Sequence, residues 1–159
     1  MNTVAREVPA DPVLQYVTFR LGAETFGINV MQVQEVLRPP EIATVPGAPR
    51  HVLGIINLRG SVVTVLDTHQ CFGLPAAEVT DNSRIIIMEV EHHVLGIMVE
   101  SVTEVVYLRQ GEIELPPNVG SGETSRYIQG VTNRDGELLI LVDLEKLLAK
   151  EARQENVGQ

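Results

Sequence analysis

The chain has 159 residues, with 12 Lys and Arg against 21 Asp and Glu, a formal net charge of −9 and a sequence pI near 4.9. That balance opposes binding to a phosphate backbone, and no Lys/Arg cluster offsets it, the first lysine being Lys146. The length suits one compact domain or two small, intimately joined ones, and a 44% hydrophobic content with no Trp, three Tyr and three Phe predicts an aliphatic, strand-favouring core.

Residues 1–12 read as a flexible N-terminal arm, polar and interrupted by Pro9 and Pro12, without the apolar h-region of a signal peptide. Val13–Leu21, with Tyr16, Val17, Phe19 and Leu21, predicts a strand, and Gly22-Ala23-Glu24 turns it into a second, Thr25-Phe26-Gly27-Ile28. Asn29 is placed to cap a helix, with Gln32 as reciprocal capping partner. Val30, Val33 and Leu37 would share its apolar face, Gln34 and Glu35 would point to solvent or a partner, and Pro39-Pro40 ends it. Further on, Pro49 suits the first turn of a short helix and Gly54 its left-handed C-terminal cap.

The stretch from Gly54 carries the organisation of the chain. Gly54-Ile55-Ile56-Asn57-Leu58-Arg59-Gly60 runs on to Asp67, and Gly130-Val131-Thr132-Asn133-Arg134-Asp135-Gly136 runs on to Asp143 in the same grammar (130 − 54 = 76). Asp135-Gly136 is a two-residue hairpin signal, because both central residues of a type I′ turn take positive φ. By analogy Leu58-Arg59-Gly60 is an earlier hairpin tip. The second tip, Arg134-Asp135, is an ordinary solvated turn; the first sets an apolar residue beside a guanidinium, a composition favoured in interface anchors. The plainer alternative is a leucine folded back onto its own core.

After Asp67, Thr68-His69-Gln70 predicts a short capped helix ended by Gly73 and Pro75, and residues 76–83 form the seam between halves. Strands are expected at Arg84–Val90, 94–99 and 103–108, hinged at Glu91-His92-His93, with a loop over 114–125. Leu95-Gly96-Ile97-Met98-Val99 repeats Phe26-Gly27-Ile28-Asn29-Val30 (96 − 27 = 69), and the register pairs Val33 with Val102 and Glu35 with Glu104. Asp143 caps a closing helix whose Leu144, Leu147 and Leu148 face inward.

Short strands with glycine turns in two matching copies predict a mainly β chain, two paired small barrels with a few short helices and a C-terminal helix. The expected layout is a single folded domain over 13–150, comprising a first barrel at 13–80, a second at 81–142 and a closing helix at 143–150, with 151–159 frayed. Halves this small are not comfortable alone, so an apolar seam with a concave junction should join them.

Gly27-Ile28-Asn29-Val30-Met31-Gln32-Val33-Gln34-Glu35-Val36, Gly54-Ile55-Ile56-Asn57-Leu58-Arg59-Gly60 and Val65-Leu66-Asp67 resemble the CheW-type chemotaxis coupling proteins, over about residues 14–150. The resemblance implies two intertwined five-stranded SH3-like barrels and a scaffold without catalysis or cofactor. It implies a cytoplasmic adaptor recruited to membrane-bound receptor arrays, coupling chemoreceptors to the histidine kinase CheA. The partners would be the kinase's regulatory domain and the cytoplasmic tip of methyl-accepting chemoreceptors. By position it places Val33, Glu35, Val36, Gly54, Asn57, Leu58, Arg59 and Gly60 in the partner-contacting region, with Gly96 and Val102 as second-half counterparts. Arg59 would offer a planar donor to a carboxylate or helix-end carbonyl, and Glu35 an acceptor. Departures are Thr64, where proline is usual, and Thr68-His69 in place of Leu-Arg. A pathway with a non-swimming output is the alternative within the family.

Other classes find less support. A duplicated β protein with Asp67-Thr68 and Asp143 invites comparison with aspartic proteases, but His69 and Leu144-Glu145 stand where tight glycine turns are needed, and both aspartates suit helix capping. His92-His93 side chains diverge and lack a third ligand at helical spacing, while His51 and His69 are isolated, so no metal is expected. Cys71 has no activating neighbours, builds no disulfide framework and suits a reducing compartment. Gly120-Ser121-Gly122 lacks the lysine of a phosphate loop. A nucleic-acid-binding barrel is opposed by the acidic charge and the missing aromatic platform. No run of apolar residues is long enough for a membrane span.

Overall fold

The computed structural model describes residues 11–76, 78–115, 127–146 and 148. In chain order the strands are β1 (Val13–Leu21), β2 (Glu24–Asn29), β3 (Val33–Leu37), β4 (Val52–Leu58) and β5 (Ser61–Asp67), then β6 (Arg84–Val90), β7 (His93–Val99), β8 (Ser101–Arg109), β9 (Ile128–Arg134) and β10 (Glu137–Val142). A single-turn helix α1 (Thr68–Cys71) follows β5, and 3-10 turns occupy Val30–Gln32 and Gln110–Glu112.

The strands form two five-stranded sheets, ordered β8-β1-β2-β10-β9 and β3-β6-β7-β5-β4. Matching β1–β5 onto β6–β10 converts one order into the other, so the duplication read from the sequence is a pseudo-symmetry of the fold. Each sheet draws two strands from one half of the chain and three from the other. The expected halves, 13–80 and 81–142, therefore do not each close a barrel. The cause is visible at β2 and β7, each of which pairs in parallel with the hairpin strand of the other half. Gly27 lies opposite Leu141, and Gly96 lies opposite Val65. A Cβ on Gly27 would stand 3.0 Å from Leu141 Cδ2 of the exchanged strand, and one on Gly96 2.8 Å from Ile85 Cγ2 of β6 and 3.5 Å from Val65 Cγ2 of the exchanged strand, so packing is close at both glycines and closest at Gly96.

Three apolar clusters follow from this exchange. Ile56, Val63, Val65, Ile85, Ile87 and Met98 fill one barrel. Tyr16, Val106, Leu108, Leu139 and Leu141 fill the other. The largest cluster is the seam between them, where Phe19, Leu21, Ile28, Leu66, Ile86, Met88, Ile97 and Val99 meet, capped by Leu144 and Leu148 of the closing helical segment. Leu147 and 149–150 lie outside the described residues, as do 1–10 of the arm, 116–126 of the loop, and 151–159. Each fully buried aliphatic side chain here is worth about 1.5–3 kcal/mol, so the seam carries much of the folding free energy. Asp11 and Pro12 are tied down: Gly111 N donates to Asp11 Oδ1 at 2.7 Å, and Gln110 N to Pro12 O at 3.1 Å.

Two local expectations are corrected. Asn29 does cap a turn, accepting Met31 N at 2.9 Å, but the helix stops at Gln32 and the chain continues as β3 against β6. Val33, Val36 and Leu37 suit a strand, and an irregularity between Val33 and Glu35 breaks the simple alternation that would have announced it. Gln32 Nε2 reaches toward Asp143 Oδ1 and Glu145 Oε2, 3.4 Å from each, instead of closing a capping box. Gly54, in turn, caps no helix. It sits inside β4, buried, where a Cβ would come within 2.4 Å of Ala43 O.

Candidate functional site

The site is built on the β4–β5 hairpin. Leu58 pairs with Ser61, which leaves Arg59-Gly60 as a two-residue tip with φ of 51° and 92°. Asn57 Oδ1 accepts Gly60 N at 2.8 Å and fixes the turn. The second hairpin repeats this, with Asp135 and Gly136 at 51° and 87° and Asn133 Oδ1 accepting Gly136 N at 3.1 Å. The surroundings match as well. Asp67 N donates to His51 O at 2.8 Å and Asp143 N to Tyr127 O at 2.7 Å, while Ala43–Ile55 and Glu114–Val131 form equivalent bridges. Both aspartates are helix caps: Asp67 Oδ1 accepts His69 N at 3.0 Å, and Asp143 Oδ1 accepts Lys146 N at 3.3 Å.

At the first tip, Leu58 is half-buried against its barrel's core, the plainer of the two readings of its sequence. Arg59 projects, its side chain 70% exposed. Its guanidinium forks onto Glu35, Nη1 to Oε1 at 3.3 Å and Nη2 to Oε2 at 2.5 Å. Glu35 and Arg59, expected to reach for a partner's groups, thus hold each other in the free chain. β3 and β4 are the two edges of their sheet, so the pair ties the open ends of the first barrel together. The hydrogen bond from Arg59 holds the Glu35 carboxyl below its ordinary value, against the opposing effect of its own desolvation, and Arg59 is raised in turn. In the second barrel the corresponding residues are Glu104 and Asp135, two carboxylates, and no such fork exists.

The other candidates divide. Val36, 40% exposed on β3, joins Glu35, Asn57, Arg59 and Gly60 on accessible surface of this sheet. Val33 and Val102 are half-buried against the seam, opposite Met88 and Phe19. Gly54 and Gly96 are buried, and their positions are explained by close backbone and side-chain approach. Beside the tip lies a groove of about 670 Å³, lined by Gln34, Leu58, Arg59, Val62, His92 and His93 among others. On the seam, Leu21, Phe26, Phe72, Leu74, Ile140 and Val142 surround an apolar groove of about 510 Å³ that none of the ten candidates lines.

Sequence reasoning missed one polar cluster. His69, buried on α1, places Nε2 2.7 Å from Glu100 Oε2, which also accepts Gly22 N. Burial pushes the Glu100 carboxyl up, but hydrogen bonds from His69 and Gly22 and the field of Arg20 leave it below its ordinary value. The cluster joins α1, the β1–β2 turn and the β7–β8 corner across 31 residues between His69 and Glu100, a separation that no local motif reports. Among the described residues there is no group of three or more His, Cys, Asp or Glu side chains able to hold a metal ion, and no helix long and apolar enough to cross a membrane.

A duplicated pair of strand-exchanged barrels, with an arginine-bearing hairpin on its accessible end, is a β scaffold domain. The chain belongs to the CheW-like domain family, whose profile matches residues 15–152. It is similar to the chemotaxis protein CheW of Treponema pallidum, 33% identical over 94% of this chain and 92% of that one. The chemotaxis protein CheW of Rhizobium meliloti is 31% identical over 88% and 90%. Protein FrzA of Myxococcus xanthus is 28% identical over 94% of each. Among solved structures, the scaffolding protein TtCheW of Thermoanaerobacter tengcongensis superposes with a TM-score of 0.76 at 31% identity, covering 89% of this chain and 90% of that one.

Proposed function

We propose that this chain is a chemotaxis coupling adaptor, a non-catalytic scaffold that joins chemoreceptors to the histidine kinase CheA in the cytoplasm. The accessible part of the first barrel, Val36, Asn57, Arg59 and Gly60 with Glu35 behind them, receives the kinase's regulatory domain. Val33, Gly54, Leu58, Gly96 and Val102 support that surface and its second-barrel counterpart from within. The receptor's cytoplasmic tip, a helical hairpin, lays an apolar stripe into the groove along the seam.

The observation that carries this reading is the difference between two tips of one geometry. Both hairpins put a side chain at φ 51°. The second uses aspartate there, a residue that tolerates the left-handed region through its short polar side chain. The first uses arginine, which has no such excuse, and braces it with Glu35, so that the guanidinium plane is held in a fixed direction with its remaining N–H groups left for a partner. The test is Arg59→Ala in a reconstituted assembly of kinase, receptor and this chain. The variant should melt with the wild type and lose most receptor-dependent kinase stimulation. Full stimulation with a normal melt would overturn the assignment.

A further inference from the structure

We propose that the β6–β7 turn is a second recognition element beside the Arg59 tip, and that the groove between them takes a partner's turn or hairpin tip in which a carboxylate stands next to an aliphatic side chain. The proposal deepens the reading above and rests on it.

The turn itself is the first observation. Val90 pairs with His93, leaving Glu91-His92 as a two-residue tip with φ of 49° and 69°. The three other two-residue tips of the described strands each place a glycine in the left-handed region: Gly22, Gly60 and Gly136. At the duplicated position of this very turn the chain has Gly22-Ala23. Only the β6–β7 tip sets two side-chain-bearing residues there, in a conformation where asparagine and glycine are favoured. A strained tip with an easy remedy in its own duplicate points to a use for the side chains it presents.

Where those side chains go is the second observation. His92 and His93 line the groove of about 670 Å³ opposite Leu58 and Arg59, and its floor includes Val62 and Val94, exposed by 71% and 39%. The space is that of a few side chains, which suits a turn. Charge is the third observation. No Asp or Glu lines this groove, although the chain carries 21 of them against 12 Lys and Arg. The equivalent groove of the other barrel is lined by Glu104, Asp135 and Glu137 together with Arg20 and Arg134, three carboxylates against two guanidinium groups. An aliphatic floor of Val62 and Val94 between two imidazoles and a guanidinium braced by Glu35, with no carboxylate in the lining itself, suits an aliphatic tip whose carboxylate shares Arg59 with Glu35. Continuity with Arg59 assigns that tip to the kinase's regulatory domain.

The test titrates full-length wild type, His92→Gly, His93→Ala and Arg59→Ala with the purified kinase regulatory domain, and separately with a receptor-tip fragment, alongside thermal melts. His92→Gly should raise the melting temperature by a few degrees, because glycine relaxes the turn, yet weaken kinase-domain binding about tenfold. His93→Ala should weaken the same binding with an unchanged melt, and receptor-tip binding should survive in both. If both histidine variants bind the kinase domain like wild type while Arg59→Ala does not, the turn has no part in recognition and the coupling assignment stands. Wild-type binding by all three variants sinks both. Loss confined to the receptor tip, or a lower melting temperature for His92→Gly, also overturns the proposal.

Discussion

Gly54→Ala separates a structural from a contact role at a residue that the family resemblance places in the partner-binding region. The added methyl would stand 2.4 Å from Ala43 O, 2.7 Å from Ile42 Cγ2 and 3.1 Å from Ala43 C. Two of these three are backbone atoms, so no rotamer change relieves the clash. The strand must retreat from the 41–45 segment, breaking the pair of 2.9 Å hydrogen bonds between Ala43 and Ile55. Two exchanged backbone hydrogen bonds cost about 2 kcal/mol, and the local strain of overpacking adds about 1–3 kcal/mol. The sum, about 3–5 kcal/mol, corresponds to a drop in melting temperature on the order of 10 °C for a domain of this size. Gly130→Ala provides the internal scale. Its Cβ would meet first a side-chain methyl, Ile113 Cγ2 at 2.5 Å, and then Glu114 O at 2.9 Å. A methyl can move, so this variant should lose less. Differential scanning calorimetry and urea unfolding of both variants read the ranking directly. A Gly54→Ala protein that melts within about 1 °C of wild type but fails to bind would refute the reasoning and return Gly54 to the contact surface.

Two further perturbations discriminate roles. Val36→Glu, on exposed surface, should fold normally and weaken assembly with the kinase domain in a pull-down; Val33→Glu forces a carboxylate toward the seam beside Met88 and should lose about 2–4 kcal/mol in chemical denaturation before binding is even measured. Glu100→Gln should lower the melting midpoint at pH 7 by removing the charged acceptor shared by His69 and Gly22. Because the folded carboxyl lies below its ordinary 4.5, its contribution is complete well above that value and fades as pH falls below it toward the lower folded one, so the gap from wild type should close in acid; a gap that does not narrow as pH falls below 4.5 would count against it.

What the sequence made legible was whatever is local or repeated. The offsets of 76 and 69 residues announced a duplication, and Asp135-Gly136 announced a hairpin, because turn chemistry and repetition are written in neighbouring residues. Residues 33–37 were misjudged because Val33 and Leu37 satisfy helical spacing as well as strand spacing, and the irregularity at Gln34 removed the alternation that separates them. Gly54 misled for a related reason: a glycine marks a left-handed cap or a close approach equally well, and only the 41–45 segment folding beneath β4 decides which. The Arg59–Glu35 fork and the His69–Glu100 contact join residues 24 and 31 apart, and nothing near either partner encodes the other.

The strand exchange itself explains how two different recognition surfaces can evolve in one small fold. β4 and β5, which carry the Arg59 tip, come from the first half, while β6 and β7, which carry the histidine turn, come from the second. Had each half closed its own barrel, both turns bordering a given groove would descend from the same copy. Exchange instead brings one copy's hairpin against the other copy's strands, so the two barrels present different combinations: Arg59 with His92 and His93 in one, Asp135 with Arg20 and Thr25 in the other. A substitution in either copy alters one groove through its hairpin or the other through its β1–β2 or β6–β7 turn, leaving the equivalent residue in place. Meanwhile neither barrel can be lost separately, because β3 of the first copy finds its sheet partner, β6, only in the second, and the β4–β5 hairpin joins that sheet only through β7. The seam that cost the sequence its clean division into halves is what keeps two diverging surfaces at a fixed distance and orientation, the property a coupling scaffold requires.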